Sequence, residues 1–219
     1  MVRVRTEEKR QEIINAAAEL FEQHGYERTS MSMISERLGG SKATLYGYFS
    51  SKDELLRAVL DYQVATEADA VMSAFPASDD LRKSLVALST AYLNKRLSPL
   101  PIANIRMIAT QPAGSTMGRD FCENIIRPAF GRLAAKFEKL MDEGKLRRAD
   151  PQLVTMHWKG LSDWDFFERR LLGAIDGPDP KEVAKAAKAA ADAFLKLYGA
   201  ESAEVPKRKA PAAPKKKKA

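Results

Sequence analysis

From Thr6 to Tyr198 the apolar residues of this 219-residue chain recur at helical spacing, and no stretch sustains the alternation of a strand. That pattern commits the chain to an all-α fold. Caps and breakers divide it into pieces. Thr6 can cap a first helix with Ile13, Ala17 and Leu20 on one face, Ile14 and Phe21 beside it, and Gly25 as its stop. Met31, Ile34 and Leu38 mark one face of a short second helix. Gly39-Gly40 permits a tight turn, and Ser41 can cap a third helix from Lys42 to about Phe49. Ser51-Lys52-Asp53-Glu54 matches a capping box that opens a fourth helix reaching about Phe75.

Further along, Pro76 to Asp80 makes a break, and helical signals resume over 79–97 and 100–111. Residues 112–118 read as a loop. Two segments, 119–126 and 128–143, are expected to divide at Arg127-Pro128, because proline opposes a helix interior. Asp150-Pro151 and Asp179-Pro180 each offer an N-cap followed by proline at the first helical position, opening helices over 151–173 and 180–198.

Bulk properties exclude several classes. Hydrophobic residues are 45% and charged residues 30%, as in a globular soluble chain, and no apolar run approaches the roughly 20 residues that span a bilayer. Met1 to Arg10 is charged with no apolar stretch behind it, unlike a secretory signal. The single Cys122 rules out an internal disulfide framework and fits a cytoplasmic location. With only His24, His157 and Cys122, neither a metal site nor a cofactor is expected. The chain has no glycine-rich phosphate loop, nucleophile elbow or His/carboxylate cluster, so an enzyme is not expected.

The net charge of +7 is uneven. Residues 201–219 hold seven Lys/Arg against two Glu, whereas the first fifty residues balance seven basic groups with seven glutamates. A nucleic-acid argument must therefore rest on where charges sit. Leu45 and Phe49, at i and i+4, can pack inward from the third helix. Lys42, Ala43, Thr44, Tyr46 and Tyr48 are left nearer the outside. A helix-turn-helix presenting small, polar, aromatic and cationic side chains suits the major groove of DNA.

The segment TSMSMISERLGGSKATLYGYFSSKDEL resembles the DNA-binding signature of TetR-family transcriptional regulators, and IINAAAELFEQHGYERTS looks like that family's first helix and its Gly-Tyr exit. The likeness covers about residues 8–60. Two departures stand out. Gly40 replaces a usual apolar residue, which implies a looser turn, and Ala43 stands where Gly is frequent.

The resemblance implies a ligand-responsive regulator, a repressor that binds a palindromic operator in double-stranded DNA as a homodimer and is released by a small apolar or amphipathic effector. A regulator governed by a protein partner, or an activator, is the alternative. Residues 1–50 would be the DNA-binding domain and 51–200 the regulatory and dimerisation domain, with 51–75 as a connector. Residues 201–219 would be a disordered basic tail able to add non-specific DNA affinity.

Thr29 and Ser30 would place hydroxyls near a phosphate, or simply cap the second helix. Ser41, Lys42, Ala43 and Thr44 would open the reading helix: Lys42 toward guanine or phosphate, Ala43 and the Thr44 methyl toward thymine methyls. Tyr46 and Tyr48 would lie along the groove with their hydroxyls on phosphates, and Lys52 would pair with a phosphate at the fourth helix's start. Met107, Phe121, Ile125, Trp158 and Trp164 are candidates for an apolar ligand pocket, or for ordinary core. His157, Phe167, Val183, Ala187, Ala190, Ala191 and Phe194 are candidates for a four-helix dimer interface, or for an intramolecular core. No membrane partner is expected.

Overall fold

The computed structural model describes residues 6–75 and 80–200, and the basic tail lies outside them. Among the described residues every extended regular element is a helix; the sole exception to helix and loop is an isolated bridge between Leu146 and Gly199. In chain order the helices are α1 (Glu7–His24), α2 (Met31–Arg37), α3 (Lys42–Tyr48), α4 (Lys52–Ser73), α5 (Leu81–Arg96), α6 (Pro99–Ala109), α7 (Met117–Phe121), a π turn (Cys122–Ile126), α8 (Arg127–Asp142), α9 (Pro151–Asp163), α10 (Phe166–Leu171) and α11 (Pro180–Tyr198).

Capping side chains set most starts. Thr6, Ser30, Ser41, Ser51, Asp80, Asp150 and Asp179 each accept a backbone N–H of the first turn, which would otherwise be unpaired. The capping box at α4 is shifted by one residue from the expected form. Ser51 Oγ accepts from Glu54 N at 3.0 Å, but the Glu54 carboxylate reaches back to Ser50, accepting from its N at 2.7 Å and its Oγ at 2.6 Å. Those bonds hold the Glu54 carboxyl below its usual pKa.

Two expectations are corrected. Arg127-Pro128 does not divide two helices: α7, the π turn and α8 follow one another without a loop. Pro128 falls in the first turn of α8, and the widened π register just before it absorbs the missing N–H. The helix expected over 151–173 breaks instead at Trp164, whose φ of +49° ends α9 before α10 begins.

Three apolar clusters organise the chain. The first joins α1, α2, α3 and the start of α4 through Ile13, Ala17, Ile34, Leu45, Phe49, Leu55 and Val59. The largest fills a bundle of α5, α8, α9 and α11, with Leu88, Phe137, Val154, Trp158 and Phe194 at its centre. Phe137 packs against Phe194 with ring centroids 5.1 Å apart, and Arg82 grips Asp192 across α5 and α11 at 2.6 and 3.0 Å. The third cluster, Tyr26, Leu56, Leu60, Met117 and Ile125, lies where the two larger ones meet. No helix among the described residues is long and apolar enough to cross a membrane.

Candidate DNA-binding face and ligand cavity

The turn between α2 and α3 is closed, not loose. Gly39 takes φ +60°, its N–H donates to Glu36 O at 3.0 Å, and the Gly40 N–H donates to Ser35 O at 3.1 Å. These two bonds form a Schellman motif, in which the left-handed residue stops the helix and the next one ties it off. α3 then starts at Ser41, whose Oγ accepts from Thr44 N at 3.1 Å and lies 3.0 Å from Thr44 Oγ1. Leu45 and Phe49 are buried beneath. Ser41, Lys42, Ala43 and Tyr46 remain exposed on the outer side. Lys42 has no ion-pair partner among the described residues, whereas Arg37 is paired with Glu19 and Lys9 with Glu12. The outer face of α3 thus offers an uncommitted ammonium and, one turn on, a phenol that is 51% exposed.

Other members of the expected set are engaged internally. Thr29 is buried, and its hydroxyl donates to Leu20 O and Gly25 O, so it ties α1 to α2 instead of facing a phosphate. Ser30 is exposed and caps α2. The Tyr48 hydroxyl accepts from Thr6 N at 3.0 Å, and its ring packs on the first core. Lys52 turns inward: its ammonium donates to Tyr26 O at 2.9 Å and Thr29 O at 3.0 Å.

Between α4, α5, α6, the π turn, α8 and α9 lies a cavity of about 390 Å³. Its wall is mostly apolar, with Val64, Val71, Met72, Ile105, Ile108, Phe121, Phe130, Leu133, Trp158 and Phe167. Polar groups enter from two sides. Asn104 donates to Gln63 at 3.0 Å, and the Trp158 indole N–H donates to Ser89 Oγ at 3.1 Å. Tyr92 and Arg96 also line it. Burial drives the Tyr92 hydroxyl to hold its proton, and the charge of Asp163 adds to that effect. Tyr92 Oη, Arg96 Nε and Asp163 Oδ1 lie together behind the wall, buried and without a well-formed hydrogen bond among the described residues.

Residues 13–59 match the bacterial regulatory proteins of the tetR family, and residues 83–200 match the C-terminal domain of AefR-like transcriptional repressors. The chain belongs to the TetR family of transcriptional regulators. It is a DNA-binding regulator, not an enzyme. A TetR-family regulator from Mesorhizobium loti is 26% identical and superposes with a TM-score of 0.79 over 90% of this chain and 100% of its own. The flavonoid-responsive regulator FrrA is 27% identical with a TM-score of 0.69, over 89% and 98% of the two chains. The transcriptional activator FasR of Mycolicibacterium smegmatis is 37% identical over 92 residues, 42% of each chain. The match thus spans less than half of that curated relative.

Within this TetR-family chain the expected ligand residues separate. Phe121 and Trp158 line the cavity. Met107 and Ile125 belong instead to the cluster around Tyr26, and Trp164 is 60% exposed at the end of α9. Phe167, expected at a dimer interface, lines the cavity under the Arg96 guanidinium, which lies 3.9 Å from its ring centroid. Val183, Ala187, Ala190, Ala191 and Phe194 are all buried within the single chain, on the face of α11 that meets α5 and α9. Helical spacing identified the buried face correctly but could not say what buries it. His157 is exposed on α9 and hydrogen-bonds the Tyr198 hydroxyl through Nδ1. The polar cavity residues Glu67, Tyr92, Lys95 and Arg96 went unnoticed, because on α4 and α5 they read as ordinary helix faces. No group of three or more His, Cys, Asp or Glu side chains among the described residues could hold a metal.

Proposed function

We propose that the chain is a ligand-responsive repressor that binds a palindromic operator as a homodimer and leaves it when a small apolar or amphipathic effector fills the cavity. The observation that carries this reading is the position of Phe121. Its ring lines the cavity and also packs against the cluster of Tyr26, Leu56, Leu60, Met117 and Ile125. Tyr26 in turn hydrogen-bonds Asp53 and carries Lys52 over its ring at 4.2 Å, directly behind the helix-turn-helix. Arg57 of α4 pairs with Asp120 of α7 at 2.8 Å, so a ligand pressing on α7 acts on the same helix that carries the DNA-binding unit. A ligand shifts such an equilibrium only by its preference for one state; about 5.5 kcal/mol converts 1:99 into 99:1.

On this reading the groove contacts centre on Lys42, Ala43 and Tyr46, with Ser30 and Ser41 at the two helix starts. Thr29, Tyr48 and Lys52 hold the unit together. The dimer forms through the outward faces of α9 and α11, where Leu153, Met156 and Leu197 are 51%, 43% and 47% exposed and Gly160 permits close approach. Two subunits would place their reading helices about 34–36 Å apart, one turn of DNA. The repressor assignment leans on the C-terminal family match, whereas the partial match to an activator favours the opposite sign of control.

Footprinting the purified protein on the intergenic DNA beside its own gene tests the reading. A protected palindrome is expected, lost in Tyr46→Ala. No protection at low salt would sink it, and protection with RNA polymerase recruitment in place of blockage would select the activator.

A further inference from the structure

We infer that the cavity takes a monoanionic, largely apolar ligand of the aromatic-acid class, its acid group held by the Arg96 guanidinium. This rests on the ligand-responsive reading above and names the chemistry of that site. The unmet polar capacity of the wall is concentrated at one place. Asn104 and Trp158 already have partners and the Tyr92 hydroxyl is turned to Asp163, whereas the Arg96 guanidinium lines the cavity with no ion-pair partner among the described residues. A guanidinium at an apolar wall gains most from a charged acceptor, so a ligand carboxylate placed beside it forms a strong pair. The Asp163 carboxylate lies behind the wall against Tyr92, with one oxygen held by Lys159.

Charge favours the same class. Lys95 and Arg96 line the cavity and have no ion-pair partner among the described residues. The lining contains one carboxylate, Glu67, and burial raises its pKa, so its negative charge is the more readily lost. The Arg96 guanidinium stacks over Phe167 at 3.9 Å, an arrangement that leaves its in-plane N–H groups for a carboxylate. Phe121, Phe130 and Trp158 supply flat walls for the remainder of the ligand. The cavity's 390 Å³ lies near the lower end of the roughly 300–1,000 Å³ of small-molecule sites, which suits a two-ring acid.

Calorimetric titration of the full chain with three probes of one shape tests the inference: 2-naphthoic acid, 2-naphthamide and 2-naphthylmethylamine. The acid is expected to bind more tightly than the amide by about tenfold, as for one charge-assisted hydrogen-bonded contact, and the amine not at all. Arg96→Gln should abolish the preference for acid over amide. Equal binding of acid and amide, tighter binding of the amine, or no binding of the acid would each overturn the inference, and the wild-type comparison decides this even if a variant fails to fold. Because operator footprinting is independent of these titrations, a retained footprint beside any of those results rejects the acid-group assignment and leaves the regulator standing.

Discussion

Lys52 and Tyr26 lock the helix-turn-helix to the helix behind it: the ammonium of Lys52 lies 4.2 Å from the Tyr26 ring centroid and donates to the Tyr26 carbonyl at 2.9 Å. The same ammonium donates to the Thr29 carbonyl at 3.0 Å. Lys52→Met is therefore expected to lower stability by about 1–3 kcal/mol, the cost of carbonyls losing a charged donor. The slope of log affinity for DNA against log salt should stay unchanged, because no phosphate contact is removed. Thermal melts with binding isotherms at several salt concentrations check this, and a reduced slope with an unchanged melt would return Lys52 to the DNA.

Lys42 should behave in the opposite way. It is exposed, it has no ion-pair partner among the described residues, and it starts the reading helix. Lys42→Ala should leave the melting temperature unchanged and reduce the salt slope by about one, the signature of one lost phosphate contact. A steeper sequence dependence of the loss, confined to operators that differ at one base pair, would instead assign Lys42 to a guanine.

The two glycines of the turn separate cleanly. Gly39 sits at φ +60°, where a Cβ is strained, so Gly39→Ala should destabilise by about 1–2 kcal/mol. Gly40 lies outside that region, and a Cβ built there meets nothing within 4 Å. Gly40→Ala should therefore stabilise by about 0.4–1 kcal/mol through the unfolded chain. Urea unfolding of both variants measures the pair. Destabilisation by Gly40→Ala would mean that the open space beside it is needed.

Glu67 gives a pH signature. Burial raises its folded pKa above the usual value of 4.5, with Lys95 and Arg96 opposing. A raised acid favours the protonated fold, so its contribution is retained below the unfolded value and is lost as pH rises through the folded one. Glu67→Gln should thus raise the melting temperature near neutrality and lose that advantage below 4.5. A gain that persists unchanged into acid would show that packing, and not ionisation, is responsible.

Helix starts were legible because the capping side chains are local: Ser41 and Asp150 need only the next turn to be read. The break at Trp164 was not, since neither glycine nor proline announces it and the positive φ is imposed by the surroundings. The reading helix can be oriented from Leu45 and Phe49, whereas the family resemblance places Thr29, and the fourth helix's start places Lys52, near a phosphate with no sign of their partners inside the fold. Their partners within the chain, carbonyls of Leu20, Gly25 and Tyr26, are backbone atoms that carry no trace in a side-chain pattern. Phe194 shows the same limit at larger scale. Periodicity says that it is buried, and only the packing of α11 on α5 and α9 says by what.

The π turn at Cys122–Ile126 has a consequence for how this chain tolerates change in length. A π turn is an α-helical turn holding one residue too many, and each residue of an α-helix rotates the chain by about 100°. Excising a single residue there would restore a continuous α-helix from α7 to α8 with little change of phase, because the widened turn already takes up the extra residue. Phe121 would keep its place between the cavity wall and the Tyr26 cluster, and α8 its seat in the bundle through Leu133 and Phe137. The same deletion made in the regular helix of α8 before Leu133 has no widened turn to take it up, and would turn Phe121 by about 100° away from both.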